Sequence, residues 1–142
     1  MAGRSAPRTI TLDGRRVVLV DDSYNANPDS VAAAIDLLAA LPGPHWLLLG
    51  DMGEVGTQGP AFHREAGARA HAAGLAHVWC AGVAAADAAA ACPGARHFPD
   101  VPSLLAALTA GPRPDAGAVL VKGSRFMGME RAVQALTGLA QD

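Results

Sequence analysis

Val17–Ser30 reads VVLVDDSYNANPDS. Four aliphatic residues run directly into Asp21 and Asp22, and a polar loop with Asn25 and Asn27 follows. An unbroken apolar run ended by acids and turn formers reads as a strand covered on both faces. Pro28 suits the first turn of a helix, with Asn27 as its N-cap. Val31, Ala34, Ile35, Leu38 and Leu41 then recur at helical spacing until Pro42-Gly43-Pro44 stops them. Two later stretches repeat the design, LLLGDMGEVG at Leu47–Gly56 and VLVKGSR at Val119–Arg125. The expectation is one sheet that brings these three loops to one edge.

Upstream of this stretch, Asp13-Gly14 lies between the apolar runs Thr9–Leu12 and Arg16–Val20, a hairpin signal. It predicts an antiparallel N-terminal edge strand. Downstream, strands are expected at Trp46–Leu49, His77–Ala81, Ala95–Phe98 and Ala118–Val121. Helices are expected at Ala61–Ala73, Val83–Cys92, Val101–Ala110 and Met127–Leu139. Alternating strands and helices give an α/β fold, a mostly parallel sheet of about six strands with helices on both faces. Residues 1–8 read as a lead-in from something upstream, and 9–142 as the domain.

Composition narrows the function. With 142 residues, the chain can bury a core without disulfides or metal. At 51% hydrophobic but 4% aromatic, that core must be aliphatic. A net charge of −2 with no basic block argues against nucleic acid as a partner. Cys80 and Cys92 form neither a CxxC pair nor a zinc pattern and read as free thiols in a reducing compartment. No signal peptide and no apolar run long enough to span a bilayer is visible, so a cytoplasmic setting is expected.

In open parallel sheets, ligands bind beyond the carboxyl ends of the strands. Asp21, Asp22, Tyr24, Asn25 and Asn27 follow the first long strand; Asp51 and Glu54 follow the second; Lys122, Ser124 and Arg125 follow the last. Each also has a plain structural reading. One of Asp21 and Asp22 could shape a turn, and Asn25 and Asn27 could be turn and cap residues. Asp51 and Glu54 could be solvated loop charges, and His63 a surface residue at a helix start. Lys122 after a buried strand is costly unless paired. Ser124 and Arg125 fall at an expected helix start, where N–H groups favour anions. Met127 and Met129 suit the core. A phosphate-cradling GxxxxGK[ST], a GxGxxG after a strand, a GxSxG and an HExxH are all missing. The domain therefore carries binding groups without an evident catalytic engine, and no metal site of its own is expected. A phosphoacceptor receiver domain would share the acids and the lysine. Too few residues separate Asp22 from Asp51 for that fold, and Gly123 stands where a receiver usually has proline.

DDSYNANPDS at Asp21–Ser30, LGDMGEVG at Leu49–Gly56, HREAG at His63–Gly67 and VLVKGSRFMGMER at Val119–Arg131 together resemble the C-terminal domain of the Mur ligases. The SYNAN form of the first loop is most similar to the D-alanyl-D-alanine-adding type. Other ligases of the superfamily, including folylpolyglutamate-synthase relatives, and a stand-alone nucleotide-binding module are the alternatives. The resemblance implies a Rossmann-like three-layer fold that closes over ATP held, with Mg²⁺, mainly by an upstream domain. It implies ATP-dependent amide bond formation between UDP-N-acetylmuramoyl-tripeptide and D-alanyl-D-alanine through an acyl phosphate, in peptidoglycan precursor synthesis. By motif match, Asp22 would meet the ATP ribose, with Asn25 and Asn27 on the nucleotide side. Arg4 resembles an interdomain arginine that reaches the nucleotide. Lys122, Ser124 and Arg125 lie where the family receives the amino substrate, and Arg125 suits its carboxylate. Asp51, Glu54 and His63 match motif positions without an assigned role. Lacking the Walker loop, the chain alone is expected to turn nothing over and to bind ATP weakly.

Overall fold

The computed structural model describes residues 6–141. Arg4 lies outside the described residues. Six strands form one sheet in the order β1-β2-β6-β3-β4-β5. They are β1 (Pro7–Leu12), β2 (Arg15–Asp22), β3 (His45–Gly50), β4 (His77–Ala81), β5 (Arg96–Phe98) and β6 (Ala118–Lys122). Among the six strands, only β1 runs antiparallel, and the other strand pairings are parallel. The hairpin that joins β1 to β2 turns at Asp13 and Gly14, with φ of 54° and 78°. Two successive positive φ values match the twist of the flanking strands, which is why Asp-Gly serves there. The hairpin turn is additionally tied down by Arg113, bidentate to Asp13, and by Arg15 at the start of β2, paired with Asp115.

Among the described residues, five α-helices cover the sheet: α1 (Pro28–Ala39), α2 (Gly59–Ala72), α3 (Ala85–Ala90), α4 (Val101–Ala110) and α5 (Glu130–Leu139). Strand residues alternate between two cores. Val20, Leu47, Leu49, Val78 and Leu120 meet α1, α2 and α3 on one face. Leu19, Trp46, Leu48, Trp79 and Val119 meet α4 and α5 on the other. This is the expected three-layer arrangement. Each fully buried leucine contributes about 1.5–3 kcal/mol of transfer free energy. The small side chains serve close packing. At Gly67 in α2, a Cβ would overlap the Ala88 carbonyl of α3, so only glycine allows those helices to touch.

Two expectations need correction. The last helix begins at Glu130, not Met127; a 3₁₀ turn at Arg125–Met127 precedes it. Gly128, at φ 66°, breaks the path between them. The alanine segment forms helix only over Ala85–Ala90, because Val83-Ala84 supplies no side-chain cap and Cys92-Pro93-Gly94 ends it early. Among the described residues, no helix is long and apolar enough to cross a membrane.

Candidate functional site at the carboxyl edge of the sheet

Parallel register brings the three loops together. Asp22 lies opposite Lys122 across β2 and β6, and Leu49 lies opposite Lys122 across β3 and β6. The loops after β2, β3 and β6 are therefore neighbours, as the sequence predicts.

Asp21 shapes the turn. Its Oδ1 accepts from the Ser23 amide at 3.1 Å and the Ser23 hydroxyl at 2.5 Å. Asp22 instead pairs with Lys122, whose Nζ lies 3.0 Å from Oδ2. The same ammonium donates to the Asn25 carbonyl at 2.7 Å. The Lys122 side chain is only 3% exposed. Its charge is thus satisfied inside the fold, and it ties the β2–α1 loop to β6. Asp22 Oδ1 keeps no partner among the described residues and is free to accept a ligand hydroxyl. Asn27 caps α1: its Oδ1 accepts from the Ser30 amide, and Ser30 Oγ accepts from the Asn27 amide. Its carbonyl side is spent on that cap.

The loop after β3 is held from three sides. His63, expected as a possible surface residue, is fully buried. Its Nε2 accepts from the Met52 amide at 3.0 Å, and Nδ1 lies 2.7 Å from the Gly59 carbonyl, to which it donates. Both bonds together require the neutral ring with its proton on Nδ1. Asp51 Oδ1 accepts from the Ala85 amide at the start of α3, at 2.7 Å. Its carboxylate occupies the space that a Cβ at Gly82 would need, which explains the small residue after β4. The Asp51 carbonyl accepts from the Ser124 amide at 2.9 Å, joining this loop to the one after β6. Asp51 and His63 are thus engaged in bracing the loop. Glu54 is exposed and holds a left-handed backbone with φ 57°.

A pocket of about 440 Å³ opens between the two braced loops, lined by Asn25, Gly53, Glu54, Ser124, Arg125 and Phe126. Ser124 is 3% exposed, and its Oγ has no hydrogen-bond partner among the described residues. Arg125 stacks over the Tyr24 ring at 4.9 Å and donates to its hydroxyl at 3.2 Å. Phe126 is 72% exposed. Sequence reading passed over Phe126, because a lone aromatic after KGSR carries no local signal of exposure. It also missed the Arg125–Tyr24 contact, which joins residues 101 positions apart. Met129 is buried as expected.

Cys80 and Cys92 are both free and buried. Burial pushes the Cys80 thiol up to about 12, and Cys92 and Asp51 nearby add to the rise. Burial raises Cys92 as well. Among the described residues, no three His, Cys, Asp or Glu side chains cluster as a metal would require.

An open α/β sheet with charged, braced loops at its carboxyl edge defines a domain of Rossmann-like build. The Mur ligase, glutamate ligase domain family model matches residues 8–125. UDP-N-acetylmuramoyl-tripeptide--D-alanyl-D-alanine ligase of Escherichia coli is 39% identical over 120 residues, covering 84% of this chain and 26% of the relative. The ligase of that name from Mycobacterium tuberculosis H37Rv is 32% identical over 154 residues, covering 89% of this chain. A crystal structure of MurF from Thermotoga maritima in complex with ADP superposes with a TM-score of 0.77 at 25% identity, covering 98% of this chain and 31% of that one. A MurF structure from Acinetobacter baumannii gives 0.79 at 28% identity, covering 96% and 30%. The chain belongs to the Mur ligase C-terminal domain family. It spans about a quarter to a third of the length of these relatives.

Proposed function

We propose that this chain is the C-terminal domain of an ATP-dependent ligase joining D-alanyl-D-alanine to UDP-N-acetylmuramoyl-tripeptide in the cytoplasm. The observation that carries the reading is the convergence of the three motif loops on one edge, around a pocket with an unpartnered buried hydroxyl. The names of the relatives supply the substrates. In the reaction, the tripeptide carboxylate takes the γ-phosphoryl group of ATP, giving an acyl phosphate and ADP. The dipeptide amine attacks the acyl carbon, phosphate leaves, and the amide forms with loss of a proton.

Within that scheme, this domain closes over reactants held elsewhere and excludes water that would hydrolyse the acyl phosphate. Asp22 Oδ1 suits a ribose hydroxyl, since Lys122 occupies only Oδ2. Asn25 is exposed beside it and suits the nucleotide. Asn27 is assigned with it by motif alone, as is Arg4. Arg125 offers a guanidinium to the dipeptide carboxylate, and Ser124, which lines the same pocket, is assigned to the amino substrate by motif. Lys122 acts by fixing the loops rather than by reaching the substrate, because its ammonium is already bound on two sides. The described residues offer no donor set for Mg²⁺; upstream Mur ligase domains would hold it, and no step is derived through it.

A chimaera tests the proposal. The matching quarter of the E. coli relative is replaced by this chain, and ADP release is measured with the tripeptide substrate. Release that depends on D-alanyl-D-alanine is expected, with none from the chain alone. Preference for a different amine, or turnover by the chain alone, overturns it.

A further inference from the structure

We propose that Glu54 holds the ammonium group of the incoming amino substrate, making the pocket a zwitterion site with Arg125 as the opposite pole. The inference rests on the reading of this edge as the amino-substrate site and adds the residue that would select a free amine.

Four observations converge. Glu54 keeps a left-handed backbone, φ 57°, that side-chain-bearing residues adopt at an energetic penalty. Such strain persists where the surroundings over-determine it, and it concentrates where ligands are held. Here the surroundings are visible: His63 fixes Met52 on one side, and Asp51 is fixed by Ala85 and Ser124 on the other. Second, the other acids of this edge are engaged. Asp21 binds Ser23, Asp22 binds Lys122, and Asp51 caps α3. Glu54 has no ion-pair or hydrogen-bond partner among the described residues. Third, Arg125 lines the same pocket, and its contact is the neutral Tyr24. A carboxylate and a guanidinium at one pocket match an ammonium and a carboxylate on one small molecule. The carboxylate repels phosphate, and the guanidinium repels a metal ion. Fourth, the walls between the charges are small or apolar. A Cβ at Gly53 would stand 3.4 Å from both the Phe126 ring and Ser124 Cβ, so the glycine keeps that wall open. The space suits short side chains such as methyl groups, with Ser124 forming part of its wall.

The test titrates the chimaera, saturated with a non-hydrolysable ATP analogue, with three probes, followed by backbone amide NMR: D-alanyl-D-alanine, its N-acetyl derivative and its C-terminal amide. Saturable shifts confined to residues 53–55 and 124–126 are expected for the free dipeptide. Loss of either charge on the probe weakens binding about tenfold or more, the usual worth of a charge-assisted hydrogen bond. Glu54→Gln lowers affinity for the free dipeptide by about the same factor and abolishes discrimination against the N-acetyl form. Glu54→Gly relieves the backbone strain, so it raises Tm by about 2–4 °C while losing the dipeptide. A purely structural Glu54 would lose stability in that variant. If the dipeptide binds here but Glu54→Gln leaves the preference for the free amine intact, the role of Glu54 is overturned and the amino-substrate reading stands. If the dipeptide shifts neither loop, both are overturned.

Discussion

Replacing Lys122 by methionine removes one charge and keeps the apolar stem. In the folded chain, Nζ lies 3.0 Å from Asp22 Oδ2 and 2.7 Å from the Asn25 carbonyl, inside a side chain that is 3% exposed. The variant leaves a half-sheltered carboxylate without its cation and a carbonyl without its donor. Breaking a buried pair from one side costs about 3–5 kcal/mol. Asp22 is 18% exposed, so water reaches it in part, and the lower end, about 3 kcal/mol, is expected. Domain stabilities run to about 5–15 kcal/mol, so the variant stays folded. With a urea slope of about 1–3 kcal/mol/M, the midpoint falls by about 1–3 M and the slope is unchanged. The double variant Lys122→Met with Asp22→Asn recovers part of the loss, because the uncompensated charge is gone, giving a coupling of about 1–3 kcal/mol. A Lys122→Met loss below about 0.5 kcal/mol, or zero coupling, would refute the view that this pair locks the two loops together.

Gly67→Ala is expected to destabilise by about 2 kcal/mol or more despite the better helix propensity of alanine, because its Cβ meets the rigid Ala88 backbone. Gly138→Ala, with open space around it, is expected to stabilise by about 0.5–1 kcal/mol; thermal melts of the two read opposite signs. The raised Cys80 thiol keeps its proton in the fold at pH values where the unfolded chain has lost it. Its contribution is therefore full below pH 9 and is lost as pH rises from there toward about 12, checked by comparing stability slopes of the parent and Cys80→Ala. Arg113 holds the Asp13 carboxyl below its usual value by hydrogen bonding. Its stabilisation is present above pH 3.8 and fades as pH falls through the lowered value, a slope that Asp13→Asn should remove at a loss below about 1 kcal/mol near neutrality.

Much of this fold is legible from local chemistry. Asp13-Gly14 announced the hairpin, and the apolar runs at His77–Ala81 and Val101–Ala110 match their elements to the residue. The Asn27 cap followed from Asn-Pro before a helical period. What escaped depends on distant partners. His63 looks like any polar residue near a helix start until Met52 and Gly59 are folded around it. The split of roles between Asp21 and Asp22 depends on the register that sets Asp22 beside Lys122. The start of the last helix was missed because the methionines at 127 and 129 extend its apolar pattern backward, while Gly128 turns the chain through a left-handed conformation. The site residues were visible as motifs, but their division into loop braces and pocket-lining residues was not. Asp51, His63 and Lys122 brace; Glu54, Ser124 and Arg125 face the pocket.

The central claim is that the carboxyl edge is one half of an active site, completed when other domains close on it. Hydrogen–deuterium exchange on the chimaera, with a non-hydrolysable ATP analogue and D-alanyl-D-alanine, tests it most directly. New protection is expected at residues 21–27, 51–56 and 122–127 when both ligands are present, with α4 and α5 unchanged. Protection confined to the groove between α1 and α2, or to the α4–α5 face, would contradict it.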